Sequence, residues 1–89
     1  MTKENLREQL ERLHGELSRT ETVDAQQRQL LKALENDIQE LLSREENQPH
    51  HYRSLSERLN EGVAQIEASH PKITLLMRRA IDSLAFLGV

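Results

Sequence analysis

Four histidines, His14, His50, His51 and His70, are the residues of this chain best suited to hold a metal or carry a proton at neutral pH. Zinc needs three or four ligands converging on one point, each oriented by a supporting group. The spacing does not supply them. His50 and His51 are adjacent, so on a helix their side chains point about 100° apart, and no His-x-x-x-His pair occurs. No metal site is expected. Asp and Glu number 15, but at positions that face water, whereas a catalytic acid needs burial or a like-charged neighbour to shift its pKa. Glu45-Glu46 reads as a solvated break. There is no Gly-x-Ser-x-Gly turn, and the glycines (Gly15, Gly62, Gly88) are too scattered for a phosphate-cradling loop. No catalytic residue and no cofactor are expected, and the chain reads as non-enzymatic.

Composition narrows the alternatives. The 89 residues leave room for one domain, 1–89, with a modest core that small proteins often extend by self-association. The only aromatic residues beyond histidine are Tyr52 and Phe86, too few for a base-stacking platform. Net charge is −3; residues 1–48 carry 7 Lys/Arg against 11 Asp/Glu, which argues against nucleic acid as a partner. Zero cysteines exclude disulfides and thiolate metal sites. The polar start does not resemble a signal peptide. The most apolar stretch, 73–89, contains Arg78, Arg79 and Asp82 and falls short of the roughly 20 residues a transmembrane helix needs. A cytoplasmic location is expected.

The elements follow from leucine spacing. Leu6, Leu10, Leu13 and Leu17 recur at steps of four and three, as do Leu31, Leu34, Ile38 and Leu41, and then Tyr52, Leu55 and Leu59, with Ile66 seven residues on. This is the seam of a helix lying along another helix. The expected helices cover about 2–20, 24–44, 50–69 and 71–87. Thr2 is a candidate N-cap for the first, and the four leucines there span only about 60° of a helical wheel. Glu8–Arg12 and Arg12–Glu16 have ion-pair spacing, and Gly15 weakens that helix by about 1 kcal/mol relative to Ala. Asp24 followed by Gln27 resembles a capping box. Pro49 suits a first helical turn, Pro71 disfavours helix at His70, and Gly88 is a natural stop. The fold is read as all-α, four helices in antiparallel hairpins forming a bundle or coiled-coil-like packing. A three-helix form, with the last two joined and kinked at Pro71, is the alternative.

The last segment differs from the others. Ile73, Leu76, Met77, Ala80, Ile81, Leu84 and Leu87 form a stripe about 140° wide, while Leu75 and Phe86 fall outside it on the polar face beside Arg79. Two large apolar groups there suggest a second contact surface, so Leu75, Arg79 and Phe86 are the candidate interaction residues. Lys72, Arg78 and Arg79 also make this segment locally basic.

Glu4-Asn-Leu-Arg-Glu-Gln-Leu-Glu-Arg-Leu-His14, His51-Tyr-Arg-Ser-Leu-Ser-Glu-Arg-Leu59, the Ser69-His70-Pro71 joint and the Leu87-Gly88-Val89 end resemble a bacterial family of short proteins, domain of unknown function 4404. The similarity runs over essentially the whole chain. It implies a small, all-helical bacterial cytoplasmic protein and supplies no activity, cofactor or site residue.

The expected role is a structural or protein-interaction module acting through its helix faces. A homo-oligomer, with a dimer favoured, is the expected partner state, alongside an unidentified protein partner. The alternative is peripheral membrane binding through the amphipathic helix at 72–89.

Overall fold

The computed structural model describes residues 3–22 and 24–87. Four helices follow in order: α1 (Lys3–Arg19), α2 (Ala25–Ser43), α3 (Pro49–Ile66) and α4 (Pro71–Ala85). Each packs on its two neighbours in a closed ring, α1 on α2, α2 on α3, α3 on α4 and α4 back on α1. Among the described residues, no backbone contact joins the diagonal pairs, α1 with α3 or α2 with α4. The result is an antiparallel bundle with extents of 35 × 21 × 19 Å.

Each helix sends four apolar side chains to the centre. α1 contributes Leu6, Leu10, Leu13 and Leu17; α2 contributes Leu31, Leu34, Ile38 and Leu41. From α3 come Tyr52, Leu55, Leu59 and Ile66, and from α4 Ile73, Met77, Ala80 and Leu84. All are buried, so the three- and four-residue steps of the sequence become one continuous core. Leu30, Leu42, Val63, Leu76, Ile81 and Leu87 pack around it, half-buried. The α3 stripe contains one gap. Gly62 holds the seam position between Leu59 and Ile66, and the side chain of Met77 fills the space. A Cβ built at residue 62 would lie 2.5 Å from Met77 Cε and 3.0 Å from Leu34 Cδ1.

The helix ends show how local chemistry sets the boundaries. Asp24 sits in extended backbone (φ −80°, ψ 120°) and its Oδ1 accepts the Gln27 backbone N–H at 3.0 Å, capping α2. Gln27 does not return the bond; its Oε1 accepts instead from the hydroxyls of Thr22 and Ser69, both at 3.3 Å, tying the α1–α2 connection to the α3–α4 joint. The far end of α2 is tied to α1, because the Arg7 guanidinium donates to the Leu42 carbonyl at 2.9 Å. α3 begins one residue earlier than the sequence suggests, with Pro49 in the first turn and Gln48 as N-cap. There the N–H of Gln48 donates to His51 Nδ1 at 2.9 Å.

The Pro71 question resolves as a break. The His70 N–H closes on Ile66 O at 2.8 Å, residues 67–69 turn, and His70 stands at φ −136°, ψ 66° outside both helices. A kinked single helix would leave α3 and α4 end to end, whereas here they lie side by side. The candidate cap at Thr2 and the stop at Gly88 lie outside the described residues. In α1, Glu16 pairs with Arg19 at 2.7 Å, and neither Glu8–Arg12 nor Arg12–Glu16 forms an ion pair among the described residues.

Candidate interaction surface

α4 presents two opposite faces. Inward, Ile73, Thr74, Met77, Ala80, Ser83 and Leu84 are buried. The two polar members are satisfied: the Thr74 hydroxyl donates to Pro71 O at 2.9 Å, and Ser83 donates to Gln9 Oε1 on α1. Outward, Leu75 is 49% exposed and Phe86 71% exposed, and these are the large apolar side chains left in solvent among the described residues. Arg79 lies between them along the helix, also exposed.

The three residues share a face but do not form one contiguous patch. Leu75 and Phe86 are eleven positions apart, so they point in nearly the same direction and are separated by about 16 Å along the axis. The wheel shows angle and hides height. Between them stand Arg79 and Asp82, both exposed. Neither makes an ion pair or a hydrogen bond among the described residues. Beside this face, a small groove of about 180 Å³ runs between α4 and α1, lined by Asn5, Glu8, Gln9, Arg12, Leu76 and Arg79. Of the other cations on α4, Arg78 is engaged by Glu67 in an ion pair across the α3–α4 joint.

Ionisable groups also meet between α2 and α3. Arg58 approaches Asp37 Oδ2 at 3.5 Å, and that oxygen is shielded from solvent without a hydrogen-bond partner. Arg44 bonds Asn47 Oδ1 at 3.2 Å, and its guanidinium lies 3.8 Å from Glu40. His51 borders the same groove. Partial burial, then the Arg44 charge and the adjacent His50, hold its imidazole below the usual histidine pKa. Its Nδ1 already accepts from Gln48, so this histidine serves the helix end. Of these contacts, Arg58–Asp37 joins α2 to α3.

The histidines remain dispersed. His14 lies on α1, His50 and His51 open α3, and His70 caps α4. Two Glu–His pairs stand three residues apart, Glu11–His14 and Glu67–His70, with no third ligand added to either. Among the described residues, no group of three His, Cys, Asp or Glu side chains could hold a metal ion. Among the same residues, no helix is long and apolar enough to cross a membrane. The sequence gives no sign of the His51 cap or the Arg7–Leu42 tie. Gln48 and His51 are not the usual capping pair, and the Arg7 acceptor is a main-chain carbonyl 35 residues away.

The fold and surface together define a four-helix antiparallel bundle whose apolar stripes are consumed in its own core, with one outer helix face carrying apolar and unpaired charged groups. The chain belongs to the family described as Domain of unknown function (DUF4404), whose model matches residues 6–89. No curated protein and no solved structure matches it.

Proposed function

We propose that this protein is a bacterial, cytoplasmic, non-enzymatic interaction module that self-associates through the outer face of α4. One observation carries the reading: Leu75 and Phe86 remain in solvent on a helix whose inward stripe is fully used. Small bundles commonly gain stability by covering such groups against a second surface. The cytoplasmic location rests on composition alone, and cell fractionation checks it.

Static light scattering tests the reading. The wild type is expected to exceed its 10.3 kDa monomer mass as concentration rises, and Phe86→Glu to return it to monomer. Monomeric mass in both at every concentration removes the proposal.

Peripheral membrane contact is the second reading, favoured by Lys72 and Arg79 flanking the exposed Leu75. Burial of Ile73, Met77, Ala80 and Leu84 weighs against it, because those side chains would have to leave the core to enter lipid. Co-sedimentation with anionic vesicles separates the two.

A further inference from the structure

The exposed stripe of α4 and its C-cap residue, Phe86, reads Leu75, Arg79, Asp82, Phe86, at steps of four, three and four. This sequence of steps is its own reverse. About a point level with the Ala80–Ile81 peptide, Leu75 and Phe86 lie at equal and opposite heights, about 8 Å away at 1.5 Å per residue. Arg79 and Asp82 lie about 2 Å to either side of the same point. The reversal exchanges apolar for apolar and positive for negative.

We infer that two copies of this chain pair through α4 in antiparallel register about a two-fold axis at that point, with Leu75 against the partner's Phe86 and Arg79 against the partner's Asp82. The inference rests on the self-association proposed above and specifies its geometry. Three observations support it. A two-fold interface requires one surface to be complementary to itself, and this stripe is, in both hydrophobicity and charge. Arg79 and Asp82 are both exposed and have no ionic partner among the described residues, so each is available to the other copy. The apolar groups sit at the two ends of the stripe, where an antiparallel partner brings its own apolar groups. A parallel pair would set Arg79 against Arg79 and Asp82 against Asp82, which costs affinity.

The contact is narrow, one stripe of one helix from each copy. It belongs at the weak end of specific interfaces, below about 1,200 Å² in total, and association should be concentration-dependent over tens to hundreds of micromolar (order of magnitude).

Sedimentation equilibrium on the full chain tests the register. Arg79→Asp alone sets like charges facing twice across the axis, as does Asp82→Arg alone, and each should weaken dimerisation at least about tenfold. Mixed in equal amounts, the two variants restore both opposite-charge pairs, and heterodimer should form with near-wild-type affinity in low salt. All the substituted side chains face solvent, so at a concentration where the wild type is monomeric, urea unfolding of each variant should match it and show that it is folded. The chain lacks cysteine, which allows a second reading of the geometry. Leu75→Cys mixed with Phe86→Cys should cross-link as heterodimer under mild oxidation in preference to either homodimer. If the wild type dimerises but the mixed charge variants are no tighter than either alone, or like cysteines cross-link preferentially, the register is wrong; self-association through α4 then stands if Phe86→Glu still returns the chain to monomer. A wild-type chain that stays monomeric throughout overturns both.

Discussion

Gly62 offers a test of the core worked from distances. In Gly62→Ala the new Cβ would stand 2.5 Å from Met77 Cε and 3.0 Å from Leu34 Cδ1, where carbon–carbon contacts prefer 3.5–4.0 Å. The Met77 methyl must withdraw by about 1 Å and Leu34 by about half that. Both are buried, Met77 at 0% exposure and Leu34 at 1%, so any shift must be taken up inside the core. Overpacking of this kind costs about 1–3 kcal/mol, and the gain of alanine over glycine within a helix offsets about 1 kcal/mol. Gly62→Ala should therefore destabilise by about 1 kcal/mol, or 4–8 °C in Tm for a domain near this size. Met77→Ala should cost about 2–5 kcal/mol by opening a cavity at the same place. In that background the closer obstruction is gone, so Gly62→Ala should become stabilising by about 1 kcal/mol. The double-mutant cycle then shows a coupling of about 2 kcal/mol. Urea unfolding followed at 222 nm, at one fixed protein concentration, measures all four corners. Additivity within about 0.5 kcal/mol would falsify the claim that Met77 fills the glycine slot.

Other expectations follow from the helix ends and outer faces. Gly15→Ala should stabilise by up to about 1 kcal/mol in the same urea assay, because a Cβ there would meet only the Arg19 guanidinium at 3.8 Å; a loss of stability would contradict that open surrounding. Asp24→Ala leaves the Gln27 N–H without its acceptor and should cost about 0.5–2 kcal/mol, visible as an earlier urea midpoint at unchanged slope. His51 should make stability pH-dependent. Its folded-state pKa lies below the unfolded value near 6.5, so the folded chain binds fewer protons between the two. Its contribution is fully present above about pH 6.5 and is lost as pH falls through the folded pKa. Thermal melts from pH 7.5 down to pH 5 should show His51→Ala falling less steeply than the wild type; parallel curves would remove His51 as the cause.

Much of the core was legible because helical periodicity is local information. A leucine every three or four residues fixes which face turns inward whatever the partner is, so Leu6 to Leu17 and Leu31 to Leu41 are all buried where their spacing puts them. The same reasoning placed Leu75 and Phe86 off the main stripe of α4, on one outer face. Angle on a wheel carries no height, so only the structure shows them about 16 Å apart along the axis. Side-chain pairing on α1 was also uncertain from spacing, since Glu16 had two arginines within reach and took Arg19.

The amino-acid sequence by itself determined that this chain makes helices and which stripe of each seeks cover. Proline chemistry at Pro49 and Pro71, the Asp24 cap and the leucine repeat all act within a few residues and need no distant partner. Tertiary structure alone decided which stripe covers which. It set α4 beside α1, fitted Met77 into the space over Gly62, and brought Arg7 to the Leu42 carbonyl and Ser83 to Gln9. Those contacts join residues 15 to 74 positions apart, where the packing of the whole bundle, and no local rule, sets the distance.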